Sequence, residues 1–200
     1  MIYNIAKSIL FVFFKILFRF QVVGRENLPS KDGFIVAANH VSYLDPIAVG
    51  LTTSKKVYFL AKESLFRNAV FGFLLRKLCS IPIKTTHGMN VETFRKSLNI
   101  LSMGNNIVIF PEGRRSADGS IQEMRAGVGF LAIKSRKPVI PVFITGTEKA
   151  LPVKAKFIKP KKVYVYIGKA LIVGDNENNE DFSKRVEASI RELAKQTKRV

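Results

Sequence analysis

The sequence predicts an α/β fold: a layered structure with a mixed, largely parallel sheet flanked by helices, plus an N-terminal amphipathic membrane-interface helix. Three observations carry this. Short apolar runs rich in β-branched residues alternate with segments of helical periodicity. Such alternation lays helices on the faces of a mostly parallel sheet. The two stretches richest in chemically active residues each follow an apolar run, which places them at strand ends, where open α/β sheets hold ligands.

The elements follow in order. Residues 1–20 read MIYNIAKSILFVFFKILFRF. On a helix, Asn4, Ser8, Lys15 and Arg19 share a narrow polar arc with Lys7 at its edge, and apolar side chains cover most of the rest. Cations at 7, 15 and 19 interrupt any run of about twenty apolar residues that could span a bilayer. No small-residue cleavage site follows, which excludes a secretory leader. The pattern fits a helix lying in the membrane interface with its lysines toward headgroups; packing on the protein's own core is the alternative. Deleting residues 1–20 is then expected to release the protein from membranes. Residues 1–22 are assigned to this helix and residues 23–200 to a single domain.

Phe34–Ala38, Val57–Leu60, Ser80–Ile83, Ile107–Phe110, Val139–Ile144 and Lys162–Ile167 read as strands. Pro46–Thr53, Ser64–Leu78, Val91–Met103, Val128–Ser135 and Asp181–Thr197 read as helices, the last with Phe182, Val186, Ile190 and Leu193 on one face. Asp175–Glu180 is an acidic loop and the candidate linker to that helix.

The formal net charge is +18, from 33 Lys and Arg against 15 Asp and Glu. Residues 175–200 carry six of each sign, so the whole excess lies in residues 1–174. Such a surface attracts anions. The single cysteine, Cys79, makes no disulfide framework and reads as a small core residue in a reducing compartment.

The first chemical stretch is Asn39-His40-Val41-Ser42-Tyr43-Leu44-Asp45-Pro46. Pro46 suits the first helical position and Asp45 the cap before it. An imidazole near neutral pKa takes a proton from a hydroxyl, and a carboxylate on its other nitrogen fixes the tautomer. A turn can fold His40 back onto Asp45, which a straight helix cannot at five-residue spacing. The second is Phe110-Pro111-Glu112-Gly113-Arg114-Arg115-Ser116. Adjacent arginines offer forks to phosphate oxygens, and Glu112 can accept from a polyol hydroxyl. Arg125 adds a cation near a helix start. Alone, each stretch also reads as a helix cap or a charged turn.

The two stretches in this order resemble the glycerolipid acyltransferases, above all the 1-acylglycerol-3-phosphate acyltransferases. The resemblance runs from about Phe34 to Val142, with Lys62, Glu63 and Leu65 like the family's second block and Val139-Ile140-Pro141-Val142 like its fourth. It implies that His40 is the general base, that Asp45 orients it, and that Glu112, Gly113 and Arg115 hold the glycerol phosphate. The chain departs from the pattern at Thr85, where the family places a phosphate-binding Arg, and at Arg114, where it usually has Thr. Lys84 and Arg114 are the candidate replacements.

The resemblance implies acyl transfer from an acyl carrier protein or coenzyme A thioester to lysophosphatidic acid, giving phosphatidic acid. The oxyanion is expected to meet backbone N–H groups near Gly113 or Asn39. Neither a cofactor nor a metal is expected, and the partners are anionic membrane lipids rather than nucleic acid. The place is the cytoplasmic face of the cell membrane, peripheral or monotopic. The alternatives are acylation of glycerol-3-phosphate or another lysolipid, or a non-catalytic basic protein that binds lipid or nucleic acid. Gly127–Ala132 matches a dinucleotide fingerprint by letters only, because it follows a polar stretch and not a strand.

Overall fold

A computed structural model describes residues 2–31, 33–83, 90–155 and 157–197, with side chains for all of these but Ile2, Val70, Phe71 and Leu74. Its strands are β1 (Gln21–Val23), β2 (Ile35–Ala38), β3 (Val57–Lys62), β4 (Ser80–Ile83), β5 (Asn106–Ile109), β6 (Val139–Thr145) and β7 (Tyr164–Ile167). They form one sheet in the order β1-β7-β6-β2-β5-β3-β4. Every neighbouring pair is parallel except β6 with β7, so β7 and β1 run against the other five. The mixed, largely parallel sheet expected from the sequence is present.

The helices are α1 (Ile2–Phe18), α2 (Asp45–Gly50), α3 (Ala69–Lys77), α4 (Val91–Ser102), α5 (Gly127–Ser135), α6 (Thr147–Ala150) and α7 (Asn179–Thr197). The helix expected over 64–78 divides into a tight turn at Glu63–Phe66 and α3. The short elements β1 and α6 were not expected from the sequence.

Central strands β2 and β5 are buried along their length, because helices cover both faces of the sheet. Side chains alternate between those faces. Val36 and Ala38 join a core with Phe14, Phe18 and Val49, whereas Ile35 and Ala37 join one with Leu131, Phe182 and Ile190. Helices α5 and α7 cover the second face at close range. A Cβ on Gly129 would lie 2.0 Å from the Asn179 carbonyl oxygen, and the Gly129 N–H donates to Ser183 Oγ at 3.0 Å. The glycine at 129 thus serves helix packing. The acidic loop leads into α7, whose Phe182, Val186 and Ile190 are part of the same core.

Helix α1 has two apolar faces. Phe14 and Phe18 are buried, with Phe20 beyond the helix end, and their rings meet edge to face at 4.8 and 5.6 Å from Phe14. Ile5, Ile9, Val12, Phe13 and Ile16 form an exposed stripe on the other side. Lys7 turns inward, toward the carbonyls of Thr53 and Lys55, rather than outward with the other cations. Among the described residues no helix is long and apolar enough to cross a membrane.

Candidate active site

The site lies where β2 and β5 end. Beyond Ala38, the Asn39 side-chain amide continues the β2–β6 ladder. It donates to the Ile144 carbonyl (3.0 Å) and accepts the Ile144 N–H (2.7 Å), fully buried. The next residue, His40, is gripped through its backbone by the turn after β5. Its N–H donates to Glu112 Oε1 (3.0 Å), and its carbonyl accepts the Ser116 N–H (2.8 Å). The Phe110 ring stacks on the imidazole with centroids 4.1 Å apart. The two chemical stretches of the sequence therefore form one unit.

Asp45 is fully buried. Its Oδ2 meets His40 Nδ1 at 2.8 Å and accepts the N–H groups of Val41 and Ser42, both at 2.7 Å. Its Oδ1 accepts the Thr147 hydroxyl at 2.7 Å. Two N–H groups already point at Oδ2, so the imidazole meets it as a third donor, through Nδ1–H. No hydrogen bond among the described residues takes Nε2, which is left bare for a proton. Asp45 does not cap its helix: the carboxylate turns back to the preceding loop, whose N–H groups it satisfies, and Asp45 itself is the first residue of α2.

Glu112 is 3% exposed. Burial pushes its carboxyl up to about 7, against the pull of the His40 N–H and with help from the nearby Asp45 charge. Its Oε1 holds the His40 loop, while Oε2 has no hydrogen-bond partner among the described residues. Arg115 lies with its guanidinium carbon 3.5 Å from the Tyr43 ring centroid, and its buried Nη1 also has no partner among the described residues. Gly113 has φ 71°, which an L side chain rarely adopts. The Arg125 guanidinium packs over it, 3.1 Å from where a Cβ would stand.

The structure thus brings together His40, Asp45, Glu112, Gly113, Arg115 and Arg125. Arg114 is exposed and has no hydrogen bond or ion pair among the described residues. Lys84 and Thr85 lie outside the described residues. Of the backbone N–H groups near Gly113 and Asn39, among which the oxyanion donors were expected, that of Gly113 is taken by the Phe110 carbonyl at 3.0 Å and that of His40 by Glu112. Sequence reasoning missed Asn39, Ser42 and Thr147. Ser42 Oγ donates to the Leu151 carbonyl (2.8 Å) and accepts the Leu44 N–H (3.2 Å). Apart from Leu44, their partners lie about a hundred residues along the chain, and no local pattern pointed to them. Among the described residues no cluster of three His, Cys, Asp or Glu side chains is placed to hold a metal.

Residues 19–145 match the family model described as Acyltransferase. A chloroplastic 1-acyl-sn-glycerol-3-phosphate acyltransferase, BAT2 of Brassica napus, is 30% identical over 137 residues, 68% of this chain and 40% of that protein. The chain therefore spans well under half the length of that relative. The 1-acyl-sn-glycerol-3-phosphate acyltransferase of Bacillus subtilis is 26% identical over 164 residues, 82% of this chain and 76% of that protein. The crystal structure of the 1-acyl-sn-glycerophosphate (LPA) acyltransferase PlsC from Thermotoga maritima superposes with a TM-score of 0.81 at 27% identity. The match covers 98% of this chain and 81% of that one. With the matched region running through both strand-end turns and the sheet that aligns them, the chain belongs to the acyltransferase family.

Proposed function

We propose that the protein moves a fatty acyl group from an acyl thioester to the free hydroxyl of 1-acylglycerol-3-phosphate, giving phosphatidic acid. The observation that carries this reading is the 2.8 Å contact between His40 Nδ1 and Asp45 Oδ2, which leaves Nε2 bare. Nε2 takes the proton of the acceptor hydroxyl as its oxygen attacks the thioester carbonyl carbon. The tetrahedral intermediate collapses, the C–S bond breaks, and the thiolate leaves with the proton returned from Nε2. The products are an ester and a free thiol. Asp45 keeps the imidazole oriented and faces the positive charge that forms on it. The Arg115 and Arg125 guanidinium groups supply donors to the acceptor phosphate, and buried Glu112, with Oε1 on the His40 N–H, holds the base in place.

The exposed stripe of α1 supports a place at the membrane interface. The charge of +18 favours the anionic cytoplasmic leaflet. The test is purified protein in detergent, given coenzyme A and acyl carrier protein thioesters with a panel of lysophospholipids and glycerol-3-phosphate. His40→Ala should lower turnover by about 10²–10⁴-fold with the melting transition retained. A variant keeping more than about a tenth of the activity excludes His40 as the base.

A further inference from the structure

The chain between α6 and β7 carries no part in the chemistry above, yet its composition is extreme. Residues 149–174 contain no Asp or Glu. Lys149, Lys154, Lys159, Lys161 and Lys162 are all exposed, and none forms an ion pair among the described residues. In their midst Phe157 is 80% exposed and Ile158 45%. A bare phenylalanine ringed by unpaired lysines is unfavourable in water and suits a surface that is apolar below and anionic above.

Its position in the fold says which surface. Strands β6 and β2 run parallel, so α6 leaves β6 at the same sheet edge as the His40 turn. Strand β7 runs antiparallel to β6 and starts at that edge, with Tyr164 beside Thr145. Strand β1 is parallel to β7, with Gln21 beside Tyr164, so the end of α1 also lies there. The join is direct: the Val163 N–H donates to the Phe18 carbonyl, and the Gln21 N–H donates to the Val163 carbonyl, both at 3.0 Å. At its other end the loop is tied to the site, since Leu151 accepts Ser42 Oγ and Thr147 holds Asp45.

We propose that residues 152–155 and 157–162 form a second membrane contact, in which Phe157 and Ile158 enter an anionic bilayer and Lys154, Lys159, Lys161 and Lys162 bind lipid phosphates. The occupant is a lipid surface rather than an acidic carrier protein, because the apolar pair stands clear of the fold and its loop joins, at Val163, the end of the helix that bears the other exposed apolar stripe. With α1, it would set the open edge of the site against the bilayer. The proposal goes beyond the acyl-transfer reading and is measured without substrate.

The chain has no tryptophan, so Phe157→Trp installs a sole reporter. With vesicles of phosphatidylcholine and phosphatidylglycerol, its emission should shift to the blue, and with phosphatidylcholine alone much less. Replacing Lys154, Lys159, Lys161 and Lys162 together by Gln should reduce partition onto the anionic vesicles by tenfold or more, each lysine near such a surface being worth about fivefold. The melting transition should not move, because all four are exposed. Phe157→Ser should weaken partition as well. An unshifted emission, or unchanged partition of the four-lysine variant, overturns the proposal. So does a lysine variant that loses affinity for acyl carrier protein while keeping its vesicle partition.

Discussion

Replacing Asp45 with Asn removes a charge and almost nothing else. The Val41 and Ser42 N–H groups, each 2.7 Å from Oδ2, force the amide oxygen into the Oδ2 position, since an NH₂ there would face two donors. The amide NH₂ then faces Thr147 Oγ1, which changes from donor to acceptor. The number of hydrogen bonds is conserved, but each loses its charge assistance, about 1 kcal/mol apiece. Relief from burying a carboxylate offsets part of this. The net is roughly 1–3 kcal/mol, a fall in melting temperature of roughly 3–10 °C for a chain of this size.

Catalysis should suffer more than stability. A unit charge about 4 Å from the imidazolium is worth about 4 kcal/mol at an effective dielectric constant of 20, or close to 10³ in rate. Initial rates with a saturating acyl thioester should show that loss in kcat, with the KM for the acceptor unchanged. Asp45→Asn retaining more than a tenth of wild-type kcat, with the melting shift as stated, would show that the carboxylate only holds the loop. A change in KM at constant kcat would move Asp45 into substrate binding.

Three further outcomes follow from named contacts. Folded Glu112 keeps its proton up to about pH 7, against an ordinary 4.5, so the folded chain binds more protons between those values and its stability falls as pH rises through them. Glu112→Gln should flatten that fall and gain up to about 3 kcal/mol over wild type at pH 8, but nothing at pH 4; parallel melting curves from pH 4 to 8 would contradict it. Arg115→Ala should raise the KM for the phosphate-bearing acceptor by about 10- to 100-fold, the worth of a charged hydrogen bond, and an unchanged KM means the phosphate sits elsewhere. Ile9→Asp with Ile16→Asp should lower vesicle partition at least tenfold without moving the melting transition, and equal partition sinks the interfacial role of α1. Deleting residues 1–20 is the poorer test, because it also strips Phe14, Phe18 and Phe20 from the core.

How far the sequence could be read depends on the range of each interaction. His40 and Asp45 were legible because both lie in one turn between a strand and a helix, and Pro46 marks where the helix starts. Strands β2 and β5 were legible because burial on both faces leaves an unbroken apolar run. Strand β1 was not, since three residues whose middle one alone is half-buried carry no period. Glu112 was read as a group facing substrate, yet one oxygen is fixed on the His40 backbone, a contact across 72 residues. Thr147 reaches Asp45 across 102, where spacing says nothing. For α1, periodicity revealed a wide apolar face but not that the sheet would take one side of it and leave the other bare. The lysines of 149–162 were plain in the sequence; only topology joined the end of their loop to the end of α1.

The pairing of β1 with β7 has a temporal meaning. Among the described residues strand β1 has no other neighbour in the sheet, and Phe18 accepts a backbone bond from Val163. Helix α1 is made well before β7, so its backbone join to the sheet must wait for that strand. At roughly 5–20 residues per second, the intervening chain takes on the order of ten seconds or more to appear. Throughout that interval the inner face has only α2 and the earlier strands to pack on, and the outer stripe is bare. A bilayer can accept the outer stripe at once, while the finished sheet completes the cover over Phe14 and Phe18. Synthesis order thus favours a helix that meets lipid first, with the domain closing onto it afterwards.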